Sequence, residues 1–161
     1  MHGISQAGLL AFVLGGIVSA AGAVETAPPV RHQLEVETNR GQVRVRLLVE
    51  NRSSATIYIP REIAAEDALT GRRFEIVDST GKPVAYVGRM VKRGALTGAD
   101  WQAVKAGSLH AHTIDVTPAY AFWKGKFAYE IRYDGPYLVD VTQPEAVQHS
   151  PAAPVKFQFS K

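Results

Sequence analysis

The chain has 161 residues, with 18 Lys plus Arg against 15 Asp plus Glu and no cysteine. Without a thiol it can hold no disulfide scaffold, cysteine zinc site, thiol nucleophile, iron–sulfur cluster or c-type haem attachment. The net charge of +3 is scattered rather than gathered into a basic stripe, which argues against nucleic acid as a partner.

Met1 to Val24 contains no charged side chain. Within it, Leu9 to Val18 is an apolar run, and Ala21-Gly22-Ala23 is a small-x-small site of the kind a signal peptidase accepts. The expectation is a signal peptide over residues 1–23, cleaved after Ala23, and export to the periplasm or outside. The alternative is an uncleaved membrane anchor over Ala7 to Val24, a stretch at the short end of what spans a bilayer and weakened as a helix by Gly8, Gly15, Gly16 and Gly22; no stable span is expected after cleavage. Residues 24–32, with Pro28 and Pro29, read as a linker, and His32 is assigned to a flexible terminal region, as is His149.

The folded domain is predicted over residues 33–161. Leu34, Val36 and Thr38 alternate with polar residues. After Asn39-Arg40-Gly41, Val43, Val45, Leu47 and Val49 do the same, which is the period-two signature of half-buried antiparallel strands. Asn51 to Ser54 is a turn, and Thr56 to Ile59 a short β-branched run that is expected to fold back as a hairpin before Pro60. Arg61 to Thr70 permits one helical turn and reads as a decorated loop. Phe74 to Val77, Asp78-Ser79-Thr80-Gly81 and Pro83 to Val87 form the clearest predicted hairpin, with Gly81 left-handed.

Farther along, Leu109 to Val116, Phe127 to Tyr133 and Val155 to Phe159 read as strands. Gly125 with Tyr129 four residues later resembles the strand opening at a tyrosine corner. Seven to nine short strands without a long helix predict an all-β fold, a two-sheet antiparallel immunoglobulin-like sandwich.

Chemistry-bearing constellations are sparse. His110 and His112 share a strand face near Asp115, but two imidazoles without a clear third ligand do not make a metal site, so they read as solvated strand histidines. There is no Gly-x-Ser-x-Gly elbow, and Ser53, Ser54 and Ser79 fall in turns. Carboxylate pairs at Glu35 with Glu37 and at Glu66-Asp67 read as solvated charge rather than acid–base machinery. Asn51-Arg52-Ser53 matches the glycosylation triplet. No cofactor is expected. The basic segment with Arg89, Lys92 and Arg93, beside Tyr86 and Met90, suits either an acidic partner or a solubilised edge strand. Trp101 and Trp123 read as core or loop-anchoring aromatics, with a glycan- or envelope-binding surface as the alternative.

The run Tyr86-Val-Gly-Arg-Met-Val-Lys-Arg-Gly-Ala-Leu-Thr97 leads to Asp100-Trp101, Gly107 and Asp115-Val-Thr-Pro-Ala-Tyr120. With Val49-Glu50-Asn51 before it and Gly125-Lys126-Phe127 through Tyr133 after it, this order of features resembles the amino-terminal propeptide-like β-domain of the deuterolysin and peptidyl-Lys metalloendopeptidases. The resemblance spans residues 33–133. That family's zinc domain needs His-Glu-x-x-His, which this sequence lacks, so the resemblance implies no peptidase activity. It implies a noncatalytic domain that binds a protein partner, inhibiting or chaperoning a deuterolysin-like zinc peptidase. Tyr86, Gly88, Arg89, Met90, Lys92, Arg93 and Trp101 are the expected partner contacts. Asn51, Asp115, Tyr120, Gly125 and Tyr129 are expected to be structural, with Asp115 accepting backbone N–H groups across the next turn.

Overall fold

The computed structural model describes residues 27–92 and 94–161, so the predicted signal segment and Arg93 lie outside the described residues. Ten antiparallel strands are present among them, arranged as two three-stranded sheets and two two-stranded ribbons. The all-β expectation holds.

The first sheet is built on β1 (Val30–Asn39) and β2 (Gln42–Asn51), joined by a two-residue loop in which Arg40 and Gly41 both have positive φ. That is the primed turn whose twist matches the flanking strands. β6 (Leu109–Asp115) pairs with the far edge of β2, giving the order β1-β2-β6. The inward residues Val43, Val45, Leu47 and Val49 are buried. The outward face carries cross-strand charge pairs such as Glu35 with Arg46 at 3.2 Å. β1 begins at Val30, inside the predicted linker, and His32 is a buried residue of that strand rather than part of a flexible terminus. Arg31 and His32 are polar, so the apolar alternation that marks the strand becomes legible only from Leu34.

The second sheet has the order β10-β7-β4, from β4 (Glu75–Asp78), β7 (Lys126–Arg132) and β10 (Val155–Ser160). β3 (Ile57–Pro60) pairs with β5 (Trp101–Val104), and β8 (Pro136–Tyr137) with β9 (Gln148–His149). Paired backbone bonds between Tyr58 and Leu138 tie the two ribbons together. β8 and β9 have two residues each, too few for any periodicity to announce them, which takes the number of strands above the expected nine.

Two predicted hairpins are corrected. β3 does not fold back on β2, because β1 and β6 already occupy both edges of β2. Instead the Asn51 carboxamide turns the chain away: its Nδ2 donates to the carbonyls of Ala55 at 2.8 Å and Val104 at 2.9 Å, and its Oδ1 accepts from Ser53. The β4 turn forms as expected, with Gly81 at φ 83° and Asp78 Oδ1 accepting the N–H groups of Thr80 and Lys82. Its return, however, is limited to the contact of Val77 with Pro83 and the bond from Val84 N–H to the Ile76 carbonyl. Proline supplies no ladder N–H, and the chain then leaves the sheet for a different partner, Tyr120.

Both sheets face one core. Its aromatic centre is Phe122, with Tyr129 and Phe159 at centroid distances of 5.2 Å in edge-on contact. α1 (Arg61–Ala65) closes one side, burying Ile63 and Ala64 against that core. His110 and His112, expected to be solvated, are half-buried. Their Nε2 atoms lie 2.8 and 2.9 Å from the carbonyls of Ala64 and Glu66, where they satisfy groups that a helix end leaves without partners.

Candidate functional site

The chain between Ala85 and Asp100 contributes to none of the ten strands, and it is pinned at both ends. Val87 and Gly88 donate their N–H groups to the Ala119 carbonyl, and Ala121 donates to the Ala85 carbonyl. Tyr86 stands edge-on to Tyr120 at 5.5 Å and donates its hydroxyl to the Arg89 carbonyl at 2.6 Å, closing the loop on itself. Gly88 is required by space: a Cβ there would come within 2.8 Å of the Tyr86 ring. At the far end, the Thr97 N–H and hydroxyl both donate to Asp100, holding a single 3-10 turn (Gly98–Asp100) ahead of β5.

Between the pins, apolar side chains point to solvent. Met90 is 80% exposed and Val87 61%, with Val91 and Leu96 also exposed and the cations of Arg89 and Lys92 among them. A cluster of large apolar groups on a held loop is the kind of surface that marks an interaction site. Sequence reasoning picked Tyr86, Gly88, Arg89, Met90 and Lys92 in this loop but passed over Val87, Val91 and Leu96. Those three carry no charge or aromatic ring to single them out, and only their exposure reveals them.

Trp101, expected as an anchoring aromatic and named among the partner contacts, is 8% exposed in β5, the burial expected of an anchor. Its indole N–H is buried without a hydrogen-bond partner among the described residues. Trp123 is half-buried against the core, and the Lys82 ammonium stands 4.8 Å from its ring centroid. The two tryptophans therefore do not offer the open ring faces a sugar-stacking platform needs.

Beneath the loop is a buried carboxylate that sequence reasoning missed. Glu62 is 1% exposed, and its oxygens accept the Thr70 N–H and the Arg73 guanidinium, with Nη2 at 2.6 Å and Nε at 2.8 Å. Both guanidinium nitrogens converge on Oε2 while Oε1 takes the Thr70 N–H, so each oxygen of the buried carboxylate has a donor, which is what makes its burial tolerable. The Thr70 carbonyl in turn accepts the Val91 N–H, so the buried pair is linked through one residue to the middle of the loop. Nothing in Pro60-Arg61-Glu62-Ile63 announces this, since the pairing with Arg73 depends on how α1 packs. A cavity of about 200 Å³ opens here, lined by the apolar groups of Pro60, Leu96, Trp101, Pro136 and Val147 and by the charged side chains of Glu62, Arg73 and Asp100.

The remaining motif residues make bonds within the fold. Asp115 Oδ1 accepts the Thr117 N–H at 2.9 Å, and the Thr117 hydroxyl accepts the Val43 N–H, joining the end of β6 to the start of β2. The Tyr120 hydroxyl accepts the Phe74 N–H and donates to the Phe74 carbonyl. Burial pushes that phenol up to about 12, against the opposing pull of the Phe74 bond. Tyr129 accepts the Trp123 N–H six residues upstream, across Gly125 at φ 102°. Asn51, the glycosylation-triplet residue, is wholly buried with its carboxamide bonded inward. Glu66 and Asp67 flank the end of α1, and no group of three or more His, Asp or Glu with metal-holding geometry occurs among the described residues. No helix among them is long and apolar enough to cross a membrane.

No protein-family model and no curated protein matches this chain. Among solved structures, the Northeast Structural Genomics Consortium target SoR45 is similar at 12% identity and a TM-score of 0.35, covering 82% of this chain and 83% of its own. The thioester domain of the Enterococcus faecium TIE86 protein is similar at 9% identity and a TM-score of 0.22, covering 83% of this chain and 44% of its own. Likenesses this remote identify neither a family nor an activity.

Proposed function

We propose that the protein is an exported, noncatalytic β-domain of immunoglobulin-like type that binds a protein partner through the 85–100 loop. The observation that carries the reading is the exposure of Val87, Met90, Val91 and Leu96 on a loop pinned by Tyr86 and Thr97. A loop held in one conformation loses little further freedom on binding, so its apolar area converts into affinity rather than into ordering. The basic side chains Arg89 and Lys92 select a partner with an acidic rim and speed its encounter.

The resemblance of residues 33–133 to the metallopeptidase propeptide domain names the partner class to try first, a deuterolysin-like zinc peptidase that this domain would inhibit or chaperone. Titrating the purified protein into such a peptidase, with activity and gel filtration as readouts, tests it. The expected result is a complex and loss of activity, with Met90→Asp weakening both by about thirtyfold, the effect of losing an interface hot spot. Absence of a complex with the unaltered protein would remove the peptidase as partner.

A further inference from the structure

We infer that the groove between the β1–β2 turn and the paired ends of β7 and β10 is an anion site, taking a phosphate monoester. No residue of the 85–100 loop lines it, so it stands apart from the protein-binding reading. β1 and β10 are edge strands of their sheets and lie against one another. Lys126 is opposite Ser160 in the β7–β10 ladder, and Gln158 is on the same face two residues earlier. Beside them the turn brings Thr38, Asn39 and Arg40 to the same groove, which holds about 360 Å³, within the roughly 300–1,000 Å³ of small-molecule sites.

The lining has the chemistry of an anion's partner. It contains two cations and no Asp or Glu, the carboxylate nearest along the chain being Glu37, which stands opposite Arg44 in the β1–β2 ladder. Its polar side chains are also uncommitted: among the described residues, none of Thr38, Asn39, Arg40, Lys126, Gln158 or Ser160 makes a side-chain hydrogen bond or ion pair. By contrast Arg46, Arg52, Arg73 and Arg132 each hold a carboxylate. A phosphate monoester carries up to two negative charges, which the guanidinium fork and the ammonium match, leaving amide and hydroxyl groups for the body of the ester. Phe159, packed edge-on to Phe122, adds an apolar part to the lining.

The backbone gives an independent reason. Arg40 is the one residue other than glycine with positive φ among the described residues, at 49°. A long side chain is strained there, and Asn or Gly would fill the turn at less cost. Strain of this kind gathers at ligand sites, where a particular side chain is needed for more than the fold.

Calorimetric titration of the full chain with inorganic phosphate at low salt tests the site. Binding is expected, weakened about tenfold or more by Arg40→Asn and by Lys126→Gln. The urea midpoint of Arg40→Asn should not fall, which separates its loss of binding from a loss of fold. Phosphatidylcholine vesicles with and without phosphatidic acid form the second arm. Cosedimentation that needs phosphatidic acid and is lost in both variants assigns the phosphate to a lipid headgroup, and phosphate binding without cosedimentation assigns it to a soluble ester. No binding in either arm, or binding indifferent to both substitutions, would overturn the proposal.

Discussion

His32 shows how much one buried side chain can govern. It is 3% exposed, edge-on to Tyr133 at 5.7 Å and near Tyr137 at 6.3 Å, and neither ring nitrogen makes a hydrogen bond of good geometry, the Ser150 backbone lying close enough to interact but poorly aligned. Burial lowers its pKa to about 4, with the Ser150 backbone opposing in part. The unfolded chain takes up a proton as pH falls through about 6.5, while the native state resists until near 4. The stabilisation is therefore complete above pH 6.5 and is lost as pH falls through that window, amounting to about 3 kcal/mol in total. Urea titrations across the window should show this slope in the unaltered protein and its absence in His32→Leu; parallel curves would contradict it. Asn51 is a second such residue. Asn51→Ala leaves the Val104 and Ala55 carbonyls without their donor and should cost about 2–4 kcal/mol, read as a lower urea midpoint. Arg40 offers the opposite sign. It holds φ 49° at a position that favours Asn or Gly, so Arg40→Asn should raise stability by about 0.5–1 kcal/mol.

At the scale of elements, strands that speak through local alternation were legible and those defined by a distant partner were not. β1 from Leu34, β2, β6, β7 and β10 all alternate, since each buries one face against the shared core. The fate of β3 was hidden because Thr56 to Ile59 is equally suited to any edge, and the Asn51 turn decides which one it meets. α1 illustrates a dependence on tertiary contacts. Five residues cannot sustain a helix alone, and this one is held by Ile63 and Ala64 in the core, by His110 and His112 on its last carbonyls, and by the Glu62–Arg73 pair. Replacing both histidines by alanine should raise amide exchange across residues 61–66 with little change at β2; uniform exchange across the domain would sink that assignment.

For the molecule as a whole, stability and recognition occupy different places. The core centred on Phe122 draws on both sheets, so Phe122→Ala should destabilise the entire domain by about 3–5 kcal/mol in a single cooperative transition. The 85–100 loop lies outside both sheets, and Met90→Asp should leave that transition within about 0.5 kcal/mol of the unaltered protein while weakening partner binding. Because Arg89 and Lys92 are exposed, complex formation should also slow as salt rises, the signature of charges that steer an encounter.

Local pattern was enough for the strand-rich class, the Gly81 and Arg40-Gly41 turns and the loop segment from Tyr86, because alternation and turn chemistry act over a few neighbouring residues. Burial was decided only by tertiary structure. His32 passed from terminal residue to buried base and Glu62 from loop acid to the partner of Arg73, while Trp101 lies buried in β5. Each of these changes depends on what stands opposite the side chain, and residues far apart in the chain supply it. The same physics revealed Val87, Val91 and Leu96, apolar side chains that the fold leaves in water.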